Sequence, residues 1–378
     1  MPSLMSPPIR EDDDLSGLRR EVRAFLDEQL AAGAYDPTVD GWLGGWDPAF
    51  TAALARRGWL GMTIPAEYGG HGRTFLERFV VTEELLAAGA PVAAHWIADR
   101  QVAPTLLRYG SERLKQEYLP RITAGEVFFG IGMSEPDSGS DLASVRTRAE
   151  RADGGWRVRG TKLWTSGGHV ADAFIALVRT APPEESGGRI DRHAGLSQLL
   201  IELTAPGVEV RPVVSANGAH HFNEVFLDGV FVPDEHLVGA LGEGWHQVTS
   251  ELAFERSGPE RFLSTYRLAE AVARDRSDVA ETGRIAGRLA GLHQMSLSIA
   301  AALQRGERAD VPAALVKVLG TTLEGDIADL ADLATPTGAP GETAALTRLA
   351  VQQRPGFTLR GGTNEILRGV IARGLGMR

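Results

Sequence analysis

Apolar residues recur at helical spacing over residues 15–126, which predicts a helical region at the start of the chain. The pattern begins with Leu18, Val22, Phe25, Leu26 and Leu30. Over residues 127–237 the pattern changes to short alternating runs, separated by Gly, Pro and Asp turns, which predict β-strands. Helical spacing returns from about Gly242. The pattern therefore predicts a helical region, a β region and a second helical region.

Composition narrows the class of protein. The 378 residues carry a formal net charge of -10, and the sequence pI is near 5.5. Nucleic acid and an anionic membrane surface repel such a chain on average, so neither is expected as a partner. The absence of cysteine excludes disulfides, thiolate metal sites and a thiol nucleophile. The sequence contains no apolar run long enough to span a bilayer, and its start lacks the features of a secretory signal, so a cytoplasmic protein is expected.

Two segments of the middle region carry the candidate chemistry. Met133–Asp141 reads as a strand that breaks at Pro136 into a Ser/Gly-rich turn, which exposes backbone N–H groups and short hydroxyl side chains. Leu163–Gly168 offers an indole beside two small hydroxyl residues. A flavin ring needs both kinds of surface, because its polar edge requires donors and its reduced state requires an aromatic wall that excludes water. The two segments together indicate a flavin site.

These segments resemble, in order and separation, two motifs of the acyl-CoA dehydrogenase family. Further pieces with the same resemblance are Ile64–Gly70, Tyr118–Glu126, Phe222–Asp228 and Arg360–Arg368. The resemblance covers nearly the whole chain and implies a multi-domain α+β fold. The implied domains are an N-terminal all-helical domain (1–126), a middle β-barrel or β-sandwich domain (127–238) and a C-terminal four-helix-bundle domain (239–378).

The reaction implied by the resemblance removes two hydrogens from the α and β carbons of an acyl-CoA, with FAD as cofactor. An enzyme carboxylate takes the α proton, a hydride leaves the β carbon for flavin N5, and fixed donors stabilise the thioester oxygen. The resemblance assigns flavin contacts to Ile131, Met133, Ser134, Trp164, Thr165, Ser166, Gly362, Thr363, Asn364 and Glu365. It assigns substrate contacts to Ser140, Phe254 and Arg256.

The catalytic base is the point at which this sequence departs from the commonest family pattern. Many members carry a glutamate directly before the Gly-Thr of the C-terminal motif, and this chain has Gly361 there. A glycine cannot abstract a proton, but its backbone N–H can serve the thioester oxygen. A minority of members, including the isovaleryl and long-chain types, carries the base on a helix before an arginine, which corresponds to Glu255. We therefore expect Glu255 to be the base, with Glu251, one helical turn away, as the next candidate.

These residues also have plainer interpretations. Glu-Arg pairs are common on solvated helix faces, and Glu260-Arg261 is a second such pair in the same stretch. Trp164 can be an ordinary core aromatic, although the hydroxyl residues and glycines beside it are unusual for a core strand. His220 and His221 have no third ligand at a suitable spacing, so no metal site is expected.

The far end of the implied cofactor site also departs from the family. Members usually bind the FAD adenine and pyrophosphate partly through a neighbouring subunit, with an arginine before Phe-Gly and a later Gly-rich stretch. Neither feature is clear here, where the two regions read Arg274–Val279 and Ala334–Gly341. We expect a dimer or tetramer, homomeric or with an unlike subunit, that passes electrons to an electron-transfer flavoprotein. The helix-borne base favours a branched or bulky acyl group, by family analogy alone.

Two alternatives stay open at this point. The chain can be a catalytically silent subunit that completes the flavin site of a partner. It can also be a flavin oxidase or monooxygenase on the same fold, in which oxygen replaces the acceptor protein.

Overall fold

The chain folds as helices, then a β-sheet, then helices again. The computed structural model describes residues 8–9, 12–186, 189–256, 258–275 and 279–377, with backbone alone at 13, 184–186, 189–190, 251–255 and 275. Its contacts group into two compact units. The helical unit comprises residues 1–50, 73–93 and 252–378, and the sheet unit comprises residues 51–72 and 94–251. The order of elements confirms the predicted helical, β and helical architecture.

Helices account for both ends of the chain. Their bounds are α1 Asp13–Ala31, α2 Gly41–Gly44, α3 Pro48–Arg56, α4 Phe75–Ala87, α5 Ala93–Ile97, α6 Ala103–Tyr109, α7 Glu112–Ala124, α8 Gly244–Arg256, α9 Tyr266–Asp275, α10 Val279–Gln304, α11 Asp310–Ala334, α12 Glu342–Phe357 and α13 Asn364–Gly374. Local signals set several of these bounds. Helix α4 begins with a capping box, in which Thr74 and Glu77 each accept from the other's backbone N–H. Helix α7 ends at Gly125, whose φ of 69° only glycine adopts readily.

The middle of the chain forms an eight-stranded sheet and a separate hairpin. Its strands are β1 Phe129–Gly132, β2 Arg148–Ala152, β3 Gly155–Ser166, β4 Ala173–Arg179, β5 Glu184–Ser186, β6 Arg189–Asp191, β7 Leu196–Glu202, β8 Val208–Val213, β9 Phe222–Pro233 and β10 Leu237–Val238. The sheet order is β10-β7-β4-β2-β3-β9-β8, with β1 parallel to β4, and β5 pairs only with β6. Most neighbours are antiparallel, which allows the short turns predicted from the sequence.

Strand β4 is buried on both faces and is the centre of the sheet unit. Ala173 and Ile175 pack with residues of α6 and α7, whereas Phe174 and Ala176 pack with Leu199 and other residues of the sheet interior. A strand covered on both sides reads as a continuous apolar run rather than as an alternating one. This explains why all residues from Ala173 to Val178 are apolar.

Helix α11 is the centre of the helical unit. It packs against α9, α10, α12 and α13, while α4 packs against α1 and α10. Ala314, Leu323 and Ile327 of α11 are fully buried, whereas Leu319, Asp326 and Asp329 leave one exposed stripe, as expected for a helix packed over most of its surface. Within the described ranges, no helix combines the length and the apolar character that are needed to cross a membrane.

Candidate active site

Trp164 has a left-handed backbone inside a β-strand. Its φ is 64°, and the register of β3 against β9 shifts between Lys162 and Thr165. This conformation costs a non-glycine residue about 1–2 kcal/mol, so the flanking strand pairs must hold it in place. The indole is 52% exposed and meets Phe222 edge-on, with 5.5 Å between the ring centroids. The residue predicted as the flavin wall is therefore a strained, outward-facing aromatic.

The two hydroxyl residues after Trp164 have different surroundings. Thr165 is fully buried, and its carbonyl accepts from Asn223 Nδ2 at 3.1 Å. The Thr165 hydroxyl has no partner among the described residues, which is uncommon for a buried polar atom. Ser166 is half-buried at the end of β3.

The predicted flavin-edge segment is fastened to the same strand. Leu163 N–H donates to the Ser134 carbonyl at 2.9 Å, so Ser134 and Trp164 lie on adjacent segments of the polypeptide. Ile131 lies in β1 and Met133 follows it, and both are half-buried. The structure thus brings the predicted edge residues and the predicted wall together within the sheet unit.

A buried ion pair, which sequence reasoning missed, holds this segment. Lys162 Nζ donates to Glu135 Oε1 at 2.8 Å and to the Met133 carbonyl at 3.2 Å. Glu135 also accepts from the backbone N–H groups of Arg146 and Thr147, at 2.6 and 2.9 Å. Burial lowers the pKa of Lys162 to about 8. Burial alone raises the pKa of Glu135, but the Lys162 ammonium and these hydrogen bonds bring it below its ordinary value.

Ser140, the predicted CoA contact, is exposed on the turn after β1. Arg192 Nη2 lies 2.5 Å from Asp141 Oδ2, next to Ser140 in the chain. Arg179 donates to carbonyl oxygens on both this turn and the loop that carries Arg192, which fixes the two relative to each other. A cationic side chain therefore lies beside the turn that is predicted to contact an anionic substrate.

Helix α8 carries the predicted base. Phe254 and Glu255 belong to α8, but their side chains lie outside the described residues. The last residue of the helix, Arg256, donates from Nε to the Gly361 carbonyl at 3.0 Å. The end of α8 is thus joined to the C-terminal motif within the helical unit, and Arg256, predicted as a substrate contact, is engaged with this backbone.

Gly361 and Gly362 form a turn that requires glycine. Their φ angles are 67° and 85°, in the left-handed region. A Cβ at Gly362 would lie 3.0 Å from Arg256 Nη2. In the described part of the chain, the Gly361 N–H has no protein acceptor.

The residues after this turn begin helix α13. Thr363 is the N-cap and accepts from Ile366 N–H at 3.3 Å. Asn364 is buried, and its Oδ1 accepts from Lys317 Nζ at 2.8 Å and from Thr321 Oγ1 at 3.2 Å. The Asn364 side chain, predicted as a flavin contact, therefore holds α13 on α11. Glu365 is exposed beside it in the first turn of α13.

A second cluster, also missed from the sequence, lies directly before this turn. Arg360 forms an ion pair with buried Asp40, a residue 320 positions earlier in the chain. Glu324 is fully buried near both, its Oε1 accepts from Ser264 N–H at 2.9 Å, and burial raises its pKa to about 7. No local pattern signals contact between residues so far apart.

Comparison with known proteins gives two family matches. The family described as acyl-CoA dehydrogenase, N-terminal domain, matches residues 12–126, and the one described as acyl-CoA dehydrogenase, middle domain, matches residues 130–230. The acyl-CoA dehydrogenase IpdE1 of Mycobacterium tuberculosis is 35% identical over 95% of this chain and 96% of its own length. The chain spans about half, 49%, of a second curated relative, FadE34 of the same organism, at 33% identity.

Solved structures agree with these matches. A structure titled Tcur3481-Tcur3483 steroid ACAD superposes with a TM-score of 0.84 at 30% identity, over 98% of this chain and 99% of that one. The ChsE4-ChsE5 complex from Mycobacterium tuberculosis superposes with a TM-score of 0.80 at 28% identity, over 98% of this chain and 100% of that one.

Proposed function

The chain belongs to the acyl-CoA dehydrogenase family and is an FAD-dependent enzyme that dehydrogenates acyl-CoA thioesters, and we propose Glu255 as its catalytic base. The resemblance read from the sequence is confirmed at the level of the family. The subgroup with a helix-borne glutamate stays a prediction. The observation that carries the assignment is the Arg256–Gly361 hydrogen bond, which joins the end of the Glu255 helix to the motif that lacks the usual base.

The residues of the sheet unit fit a flavin ring. Trp164 presents an outward aromatic face, Ser166 offers a half-buried hydroxyl, and Thr165 has a buried oxygen without a partner among the described residues. The strain at Trp164 favours a functional role, because a left-handed tryptophan contributes nothing to the strand itself. These residues would hold FAD, which would supply the acceptor for the hydride that leaves the β carbon.

The chain's own residues supply the proton chemistry. The Glu255 carboxylate removes the α proton of the acyl-CoA. The Gly361 N–H donates to the thioester oxygen, which gains negative charge as the proton leaves. Arg256 holds the Gly361 carbonyl and thereby supports the same turn. Glycine suits position 361, since the left-handed φ is free of strain and the donor is a backbone group.

Glu255→Gln tests the base. The variant should keep its flavin content, because the site residues of the sheet unit are unchanged, while kcat falls by about 10²- to 10⁴-fold. Glu251→Gln, one turn earlier on α8, is the matched control and should retain most of the activity. Loss of activity in Glu251→Gln with near-normal turnover in Glu255→Gln would move the base to Glu251.

For the substrate, we propose a CoA thioester with a bulky, steroid-like acyl group. The support is the likeness to a structure described as a steroid ACAD, at 30% identity, together with the proposed helix-borne position of the base. We expect kcat/KM for a steroid-side-chain CoA ester to exceed that for butyryl-CoA and palmitoyl-CoA by at least about tenfold, since added apolar contacts of a few methylenes are worth that much. Equal or higher values for a straight chain contradict this assignment.

For the assembly, we propose a heteromer with an unlike acyl-CoA dehydrogenase subunit. The support is the likeness to the ChsE4-ChsE5 complex and the unclear adenine-side motifs of this chain. Flavin content per chain, measured after gel filtration of the protein expressed alone and with such a subunit, should be low in the first case and high in the second. Full flavin loading of the chain expressed without a partner supports a homo-oligomer. Inactivity of the complex that contains Glu255→Gln excludes a catalytically silent role for this chain.

We propose an electron-transfer flavoprotein as acceptor. Reduced enzyme should reoxidise rapidly with that protein and slowly in air. Rapid reoxidation by air alone favours the oxidase or monooxygenase alternative.

A further inference from the structure

The Gly361 N–H belongs to the peptide bond that joins Arg360 to Gly361. Because a peptide unit is planar, the direction of this N–H depends on ψ of Arg360 and φ of Gly361. Arg256 holds the carbonyl on the far side of Gly361. The near side of the peptide depends on Arg360, and its side chain is anchored unusually firmly.

Arg360 is held by a charge and by two aromatic rings. Its Nη1 pairs with the carboxylate of Asp40, and the two side chains are 14% and 1% exposed. Its guanidinium carbon lies 4.6 Å from the Trp42 ring centroid and 5.4 Å from that of Phe357. A planar guanidinium can pair with a carboxylate and stack on a ring at the same time, which a lysine ammonium cannot do.

The residues that hold Arg360 are themselves fixed. Asp40 has a φ of 65°, in the left-handed region that few residues other than Gly, Asn and Asp adopt, and its N–H donates to the Ser264 carbonyl at 3.1 Å. Trp42 Nε1 donates to Ser264 Oγ at 3.2 Å, and a second guanidinium, that of Arg261, lies 5.1 Å from its ring centroid. The anchor is therefore built from the chain near residue 40 and the chain near residue 264.

Stability alone does not explain the cluster of Asp40, Glu324 and Arg360. Among the described residues, Asp40 Oδ1, Arg360 Nε and Glu324 Oε2 are buried without hydrogen-bond partners. Buried charged or polar groups with unsatisfied atoms cost free energy, and an apolar cluster of the same volume is often more stable. Charged groups retained at such a cost directly before Gly361 point to a role in the placement of that residue.

We propose that Arg360 is a positioning residue for the dehydrogenation: Asp40 and Trp42 hold its side chain so that the Arg360–Gly361 peptide presents its N–H to the thioester oxygen. The inference rests on the proposed role of the Gly361 N–H. In this proposal, the segment near residue 40 and the Arg360 side chain both lie outside the reaction centre. Together they align the N–H that stabilises the enolate.

Arg360→Lys and Asp40→Asn test the proposal in the active holoenzyme, with its partner subunit present if flavin retention requires one. Lysine at position 360 keeps the positive charge but lacks the planar guanidinium and its paired N–H donors. Asparagine at position 40 keeps the side-chain volume but lacks the negative charge. Arg354→Lys is the matched control, because Arg354 lies in α12, shortly before Arg360 in the chain, and also pairs with an aspartate, Asp329, but both of these side chains are about half exposed.

Four quantities are measured: flavin content, KM, kcat, and the apparent pKa of the α proton of a bound 3-thia-acyl-CoA, which the enzyme cannot oxidise. The enolate of that analogue is read from its long-wavelength absorbance against the flavin. We expect kcat per bound flavin to fall about tenfold or more in Arg360→Lys and Asp40→Asn, because small misplacements of a catalytic donor have effects of that size. KM should change less than about threefold, and the analogue should be about tenfold less acidic. Arg354→Lys should match the wild type in all four quantities.

Two results overturn the proposal. One is a normal acidity of the bound analogue in Arg360→Lys, because the N–H is then aligned without the anchor. The other is a loss of activity in proportion to flavin content, with unchanged kcat per bound flavin, because Arg360 is then a structural residue only. A wild-type enzyme that carries flavin but neither oxidises acyl-CoA esters nor acidifies the analogue contradicts the proposed function itself, which is a different outcome from normal behaviour of the variants.

Discussion

Lys162 Nζ lies 2.8 Å from Glu135 Oε1, and the two side chains are 0% and 8% exposed. The pair joins the strand that carries Trp164 to the turn that follows Ser134, so it holds two parts of the proposed flavin site in one frame. A buried pair of this kind contributes little net stability, but removal of one partner leaves an uncompensated charge. Its value to the protein is therefore the fixed geometry of the segment.

The first prediction concerns this pair. Lys162→Met should lower the free energy of unfolding by about 3–5 kcal/mol, because it leaves Glu135 buried without its cation. The double variant Lys162→Met with Glu135→Gln should recover part of that loss, since no charge is then buried. Urea unfolding followed by circular dichroism measures both. Lys115→Met, which removes the pair with the exposed Glu112, is the control and should shift the midpoint far less. A double variant less stable than Lys162→Met alone would contradict the explanation.

The second prediction concerns Glu324. Its pKa is raised to about 7, chiefly by burial, with smaller opposing contributions from the Arg360 guanidinium, which lowers the pKa, and the Asp40 carboxylate, which raises it. The folded protein therefore binds a proton that the unfolded chain releases near pH 4.5, so this stabilisation is complete below that pH and is lost as the pH rises through about 7. Between pH 5 and 8 the wild type should lose on the order of 2 kcal/mol that Glu324→Gln does not lose. Parallel pH profiles of the urea midpoint for the two proteins would contradict the assignment.

The sequence was a good guide where function depends on local pattern. Alternating strands with Gly and Pro turns predicted the sheet, and the two short motifs predicted that Ser134 and Trp164 belong to one site. The absence of the usual glutamate at position 361 was visible directly from the residue type, because the chain has a glycine there. These features depend on residues close together in the chain, so their physical basis can be read from spacing.

Long-range polar contacts were not predictable in this way. Asp40 and Arg360 meet across 320 positions, and neither lies in a segment whose periodicity reports the contact. Lys162 occupies an inward strand position where a lysine contradicts the expected pattern, and that violation was the available signal. The hydrogen bonds that Asn364 Oδ1 accepts from Lys317 and Thr321 were likewise not visible in the sequence, because they depend on the packing of α13 on α11, and the flavin contact of Asn364 stays a prediction.

The third prediction concerns the alternative place for the base. Gly361→Glu in the Glu255→Gln background puts a carboxylate at the position that many family members use, so kcat should recover by about tenfold or more over Glu255→Gln alone. Recovery should be incomplete, because a φ of 67° costs a residue with a Cβ about 1–2 kcal/mol. Steady-state kinetics of the two variants, with flavin content as a control, measures the effect. Gly361→Gln in the same background should give no recovery, and recovery with glutamine would indicate that the carboxylate is not the active group.

The fourth prediction concerns the strain at Trp164. In an ordinary strand, a glycine makes the protein less stable than an alanine does, by about 0.5–1 kcal/mol. At a φ of 64° the order reverses, because the left-handed backbone destabilises alanine, which has a Cβ, and not glycine. In the flavin-free protein, Trp164→Gly should therefore unfold at a higher temperature than Trp164→Ala. Arg157, an exposed residue of the same strand, provides the control pair, in which Arg157→Gly should be the less stable variant. Both Trp164 variants should release flavin faster than the wild type, since each lacks the aromatic wall. If Trp164→Gly is instead less stable than Trp164→Ala, the left-handed backbone at position 164 does not destabilise the protein, and this explanation of Trp164 is wrong.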